Sequence, residues 1–336
     1  MHDIVSRIKE LVDKEKTFAL ARVIKTWRSS PRPVGSAMII TNKGEMHGSV
    51  SGGCIESAVV KGAQEVLLSG QSKVMEFGVA DEDAWEVGLS CGGAVSVLIT
   101  PFLDDDGYIK FLRFLDNKKS FFILTRLKGP SHSNPVYLDR IEDELAGNPV
   151  LVSNIEAAYR AGLPGAVVET KVGDEYFVQF FRPRPKMILI GAAHIASELL
   201  ALAQMYDFRT IVIDPRDTFA QKTTFITNPD ELKINWPQEV LKGYKLDENT
   251  YVVILSHDPK IDDEALKILL PSQVKYIGAL GSKKTHEKRI ERLKSYGIDD
   301  SLFGKISAPI GLDIGSHSAK EIALSIMAEV IKVKNN

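Results

Sequence analysis

Met187-Ile-Leu-Ile190 runs into Gly191-Ala-Ala-His-Ile-Ala196, and this stretch decides the fold. Four apolar residues ending on a glycine predict a short buried strand. The residues after the glycine open an apolar-periodic helix. A strand, a glycine turn and a helix in that order occupy the place of the phosphate turn in a Rossmann unit. Asp214 ends the next predicted strand, where such a unit sets an acidic residue against a ribose hydroxyl. The fingerprint has a defect. Ala193 replaces the glycine that lets backbone approach a pyrophosphate, and Ala196 replaces the third glycine. Two readings stay open: a nucleotide site, or a Rossmann scaffold whose first turn only starts a helix.

Toward the C-terminus the alternation continues. Strands are expected at 187–190, 210–213, 251–255 and 274–277, and helices near 194–206, 262–270, 284–296 and 319–332. Short, wholly apolar strands between helices predict a doubly wound parallel sheet covered on both faces. The strand ends are polar. Ser256-His257-Asp258 is followed by Asp262 and Asp263, Gly281-Ser282 leaves the fourth strand, and Gly311 sits in Ile310-Gly-Leu-Asp-Ile-Gly315. In such a sheet these loops converge on one crevice, where ligands bind. The candidate residues there are Gly191, His194, Asp214, Arg216, His257, Asp258, Gly281, Ser282 and Gly311. Gly281 with Ser282 as N-cap offers backbone N–H groups to an anion. His194, His257 and Asp258 suit a metal by type, yet their spacing matches no standard zinc pattern. Helix capping and turn chemistry account for any one of them equally well.

Toward the N-terminus, Arg182-Pro-Arg-Pro-Lys186 breaks both strand and helix patterns and reads as a stiff linker. It divides the chain into residues 1–181 and 187–336. The first part mixes helices near 3–14 and 54–68 with strands at 18–24, 37–41, 45–50, 73–77 and 94–100. A helix at 108–115, a strand at 121–127, a short helix near 155–161 and a hairpin pairing 166–171 with 175–181 follow, so an α+β domain is expected. No motif stands out in 104–181.

The chain has only two cysteines. Cys54 closes Gly48-Ser-Val-Ser-Gly-Gly-Cys54 and precedes Ile55-Glu56; Cys91 precedes Gly92-Gly93. Gly52 and Gly53 free the backbone at a strand end, and Cys54 is expected in the first turn of a helix, where the dipole favours a thiolate. The alternative is a pair of buried, inert thiols. Upstream, Trp27-Arg28-Ser29-Ser30-Pro31-Arg32-Pro33 places two arginines and two hydroxyls on a rigid turn, a candidate anion cradle, or simply an exposed loop.

Composition excludes several classes. Of 336 residues, 44% are hydrophobic and 26% charged, so a folded globular chain is expected. With 42 basic and 44 acidic residues the net charge is −2, against the basic surplus that nucleic acid or an anionic membrane requires. Two cysteines are too few for a disulfide scaffold and point to a reducing compartment. No signal peptide or membrane span can be drawn, so a cytoplasmic protein is expected.

Several of these motifs together resemble one family. Arg28-Ser-Ser-Pro-Arg-Pro-Val-Gly35, the Gly48-to-Glu56 segment and Ser90-Cys-Gly-Gly93 are similar to the N-terminal domain of xanthine dehydrogenase accessory proteins of the XdhC/CoxI type. The Gly191, Asp214-Pro-Arg216, Ser256-to-Asp263, Tyr276-to-Ser282 and Ala308-to-Gly315 segments resemble that family's Rossmann domain. Ala193 departs from the family's usual glycine. The resemblance implies a maturation factor that binds the molybdenum cofactor (molybdopterin), guards it while its terminal sulfur is installed, and passes it to xanthine dehydrogenase or another molybdenum hydroxylase. It also implies a cysteine desulfurase as a second partner. On this reading Arg28, Ser29 and Arg32 hold the phosphate, Cys54 or Cys91 ligates molybdenum, and Gly52, Gly53, Glu56 and Gly92 shape that site. The Rossmann crevice takes the pterin or a nucleotide. A homodimer is expected as the commonest oligomer. Two competing readings are an NAD(P)-dependent oxidoreductase, carried by Gly191 and Asp214, and a structural partner of the dehydrogenase that binds no small molecule.

Overall fold

A computed structural model of the chain describes residues 2–14, 17–28, 32–78, 93–102, 109–110, 120–128, 135–138, 140–145, 147–217 and 225–335. It divides into two compact units, Met1–Pro183 and Arg184–Asn336.

The first unit is layered helix, sheet, sheet, helix. After α1 (His2–Asp13) come β1 (Phe18–Trp27), β2 (Ala37–Thr41), β3 (Met46–Gly48), α2 (Glu56–Ser69), β4 (Lys73–Phe77) and β5 (Ala94–Phe102). These strands form an antiparallel sheet ordered β3-β2-β1-β5-β4. Next are β6 (Phe121–Lys128), β7 (Val136–Leu138), α3 (Ile141–Glu144), α4 (Pro149–Arg160), β8 (Gly165–Glu169) and β9 (Glu175–Phe181), whose strands form a second sheet ordered β7-β6-β9-β8. The period of two in β1 sorts its side chains. Ala19, Ala21 and Val23 pack with Val59, Ala63 and Val66 of α2, while Phe18 and Leu20 meet Phe121, Ile123 and Phe181 of the other sheet. Val59, Ala63 and Val66 recur at helical spacing, which is why α2 can lie flat on its sheet. On the far face, Leu151 and Ile155 of α4 cover Phe122, Leu124, Val178 and Phe180. Between the sheets lies an arginine, Arg22, with no exposed surface. Its Nη2 donates to Thr100 and Thr125 at 3.2 Å each, and burial lowers its pKa to about 10.

The second unit is the doubly wound parallel domain expected. Its strands are β10 (Lys186–Ile190), β11 (Arg209–Ile213), β12 (Glu231–Lys233), β13 (Thr250–Ile254), β14 (Tyr276–Ala279) and β15 (Ile306–Ser307), in the order β12-β11-β10-β13-β14-β15. Every pairing is parallel. Counted within the unit this is 3-2-1-4-5-6, the dinucleotide-fold order with its topological switch point between β10 and β13. Helices α5 (His194–Met205) and α9 (Ala319–Asn335) cover one face, packing on Met187, Leu189, Val212 and Val253. Helices α7 (Pro259–Leu269) and α8 (Lys283–Ser295) belong to the other, with Ile188, Ile190, Ile211, Val252 and Ile254. A short helix, α6 (Pro237–Val240), precedes β13.

Several boundaries differ from expectation. Lys186 already pairs in β10, opposite Arg209 and Thr250. The expected linker is also tied down on both sides. Arg182 lies 4.4 Å over the Tyr159 ring and donates to the Leu163 and Tyr159 carbonyls, whereas Arg184 pairs with Asp230 at 2.7 Å. Helix α4 begins at Pro149, six residues before the expected 155, because Asn148 caps it and Pro149 fits its first position. Pro259 likewise starts α7 ahead of 262. Helix α2 starts at Glu56 rather than at 54. The expected helix at 108–115 lies outside the described residues except for 109–110. Among the described residues no helix is long and apolar enough to cross a membrane.

Candidate cofactor sites

In the first unit the glycine-serine segment folds around its own acid. Glu56, the first residue of α2, turns its carboxylate back into the loop that precedes it. Oε1 accepts from Ser49 Oγ at 2.7 Å and from the N–H groups of Val50, Ser51 and Gly52 at 3.3, 2.9 and 3.1 Å. Oε2 accepts from Ser51 Oγ at 2.5 Å and Gly53 N–H at 2.9 Å. Burial alone would raise this carboxyl, but the Ser51 and Ser49 hydroxyls and the backbone N–H groups bring it down to about 2. Gly52 and Gly53, expected to free the backbone for a ligand's close approach, have their N–H groups engaged by Glu56.

Cys54 lies on this braced loop and is exposed, which excludes the buried, inert reading for this residue. It is not in the first helical turn, as the sequence suggested. Ile55, the N-cap, separates it from α2, so the thiol stands before the helix and outside its intrahelical geometry. Arg28 is exposed at the end of β1, in the left-handed region with φ 55°, and its guanidinium lies 4.2 Å from the Trp27 ring centre. Arg32 is partly buried. Ser29, Cys91 and Gly92 lie outside the described residues, so their expected roles have no geometry to set beside them.

In the second unit, Gly191 serves close packing at the switch point. Its φ is 101°, and a Cβ added there would lie 2.6 Å from the Ser256 nitrogen. The turn after β10 thus presses against the exit of β13. The next N–H, from Ala192, donates to Asp214 Oδ2 at 2.8 Å. Arg216 completes the cluster. Its Nε and backbone N–H reach Asp214 Oδ1 at 2.9 and 3.0 Å, and Nη2 reaches Oδ2 at 2.7 Å. Asp214 has no exposed surface. Burial would raise its carboxyl, but the Arg216 hydrogen bonds and the Ala192 N–H hold it below the usual carboxylate range. An acid expected to meet a ribose hydroxyl is instead bound on both oxygens by its own chain.

One strand further along the sheet edge lies a cavity of about 300 Å³. His257 and Ser282 line it together with Asp262, Lys284, Lys288 and Arg289. Ser282 caps α8 as expected, accepting the Thr285 N–H at 3.2 Å. Gly281 has φ 136°, and a Cβ added there would lie 3.0 Å from the Thr285 side chain, so glycine suits the position. Asp258 is the N-cap of α7, accepting from Lys260 N–H at 2.9 Å. Burial pushes the Asp262 carboxyl up, against the pull of Ser256 and Arg289. The Asp258 and Asp262 charges both act on Arg216, so the Asp214 cluster and the cavity share the same edge. Gly311 is turned to another purpose: its Cβ space is filled by Ser325, and its N–H donates to Glu329 at 2.8 Å. His194 is exposed at the start of α5. Among the described residues no group of three His, Cys, Asp or Glu side chains could hold a metal ion.

Two family descriptions match this chain: the XdhC and CoxI family over residues 11–78, and the XdhC Rossmann domain over residues 187–330. Together they span well over half of it. The chain belongs to the XdhC and CoxI family. Among curated relatives of this XdhC-type chain, a protein of Bacillus subtilis named as a probable xanthine dehydrogenase subunit is 26% identical over 341 residues, covering 99% of this chain and 98% of that one. The molybdenum cofactor insertion chaperone PaoD of Escherichia coli is 24% identical over 322 residues, covering 95% and 84%. A crystal structure of a xanthine dehydrogenase from Bacillus halodurans superposes with a TM-score of 0.75 at 24% identity, covering 98% of this chain and 95% of that one, and so shares the fold.

Within the XdhC Rossmann domain, sequence reasoning missed Arg289. Its signal was present: it stands three residues from His286 and four from Leu293, at a spacing that puts it on the buried face of α8. In the XdhC/CoxI segment it named Glu56 without its task. A serine-glycine run followed by an acid in the first helical turn resembles a capping box, in which the acid reaches back to backbone N–H groups.

Proposed function

We propose that this chain is a maturation factor that binds the molybdenum cofactor and delivers it to a molybdenum hydroxylase of the xanthine dehydrogenase class. The observation that carries the reading is the alignment of 95% of the chain with a relative named a molybdenum cofactor insertion chaperone. The first unit supports it with a fitting donor: Cys54 is exposed on a loop whose backbone is fixed by the Glu56 carboxylate. Molybdenum accepts soft sulfur ligands, and a thiol on a braced loop reaches such a centre with little ordering cost. Cys54 Sγ would be the atom of this loop that meets the metal. Arg28 and Arg32 would bind the cofactor's phosphate through their guanidinium forks. When bound, the cofactor supplies the redox-active centre that the client hydroxylase uses. Residues of this chain only hold, orient and shield it.

On this reading the protein works in the cytoplasm as a homodimer, beside a cysteine desulfurase that provides the cofactor's terminal sulfur. An NAD(P)-dependent activity finds less support, since Asp214 already accepts from the Ala192 N–H and from Arg216. Reconstitution of a cofactor-free hydroxylase tests the proposal. Cofactor supplied together with this chain should activate the client to a higher level than cofactor alone. Equal activation with and without the chain would contradict a delivery role.

A further inference from the structure

The cavity at the ends of β13 and β14 holds an electrostatic conflict that an anion would resolve. The Arg289 side chain is 2% exposed. Its Nη2 donates to the Leu280 carbonyl at 2.9 Å and lies 3.4 Å from Asp262 Oδ2. Its Nε and Nη1 are buried with no hydrogen-bond partner among the described residues. A buried guanidinium with two unmet donors is costly, and such donors are rare in folded chains. Asp262 meets only one of its nitrogens, Nη2, at 3.4 Å, while the Asp262 Oδ1 takes the Ser256 hydroxyl.

The start of α8 adds a second conflict. The positive end of a helix dipole favours acids in the first turn, yet this 13-residue helix has none there and instead begins Lys283-Lys284. Lys284 and Lys288, one turn apart, are exposed on the cavity wall and pair with no carboxylate among the described residues. Arg292, also on the wall, is by contrast matched by Asp263 at 2.6 and 3.0 Å. The uncompensated charge is therefore local to Lys284, Lys288 and Arg289, around the Ser282 cap. A cavity of about 300 Å³ admits a phosphoryl group and the first atoms attached to it.

We propose that this cavity binds a phosphoryl group, either a phosphate ion or the phosphate of a monoester, between Arg289, Lys284, Lys288 and the N-terminus of α8. At the Gly191 turn, by contrast, the Ala192 N–H is already taken by Asp214. It is independent of the Cys54 reading, which concerns the other unit.

Calorimetry and thermal shift on the full chain test it, using inorganic phosphate and glycerol phosphate against chloride at equal ionic strength, since screening alone moves surface charges. Phosphate should release heat and raise the melting temperature beyond chloride. The exposed pair Lys284→Ala/Lys288→Ala should weaken that binding by about tenfold or more. Arg289→Met should abolish it, and the lysine pair guards against loss through misfolding of the buried variant. Tighter binding of glycerol phosphate than of phosphate identifies a phosphomonoester as the occupant, and equal binding identifies the ion. No response beyond chloride to either probe, or unchanged affinity in the lysine pair, would overturn the site.

Discussion

Removing the Glu56 carboxylate should loosen the loop that carries Cys54. In the folded chain this one group accepts from two serine hydroxyls and four backbone N–H groups. A carboxyl held at about 2, against an ordinary 4.5, has a linkage ceiling of about 3 kcal/mol. The group is partly solvated, so we take about 1–2 kcal/mol as its hold on the loop. That corresponds to a factor of about 5–30 in local opening. Native-state hydrogen exchange at neutral pH reads this directly: Glu56→Ala should lower the protection of the 51–53 amides by that factor. Glu56→Gln, which keeps an acceptor without the charge, should lower it less. The pH dependence has a fixed sign. Because the folded pKa is depressed, the stabilisation is complete above 4.5 and fades as pH falls from there toward 2. Wild-type protection factors at 51–53 should therefore decline over that window, and those of Glu56→Ala should not. Unchanged protection in Glu56→Ala would refute the carboxylate as the brace.

Two other substitutions probe charges buried in each unit. Asp214→Asn removes the anion that joins the Ala192 N–H to Arg216 and should cost about 2–3 kcal/mol in urea unfolding of the chain. The Asp214 contribution is present above the ordinary carboxylate value and should be lost as pH falls below it, so wild type and variant should converge in acid. Arg22→Met should be close to neutral, within about 1 kcal/mol by the same assay, since it exchanges a buried cation with two unpartnered nitrogens for an apolar chain of similar reach.

The Rossmann half was legible because its rules are local. Wholly apolar strands between periodic helices define a parallel sheet, and all four expected strands are present. The two edge strands, β12 and β15, have three and two residues and carry no periodicity to read. Candidate residues were less legible because sequence names a group but not its partner. Asp214 stands where a ribose-binding acid would, and only the fold shows that Arg216 and Ala192 occupy it. Gly311 looked like a ligand loop, but its position is set by Ser325 and Glu329 of the last helix. Gly52 and Gly53 were legible as a freed stretch of backbone, but only the fold shows that Glu56 engages their N–H groups. Arg289 escaped notice inside a helix rich in lysine and arginine, where one buried cation among solvated ones leaves little trace in composition.

Cofactor binding is the central claim, and the molybdenum and pterin content of anaerobically isolated full-length protein tests it most directly. The account predicts that the wild-type chain retains both in equal amounts and that Cys54→Ala retains substantially less molybdenum. A wild-type chain that carries neither after expression in cells making the cofactor, or a Cys54→Ala chain that retains as much as wild type, would contradict it.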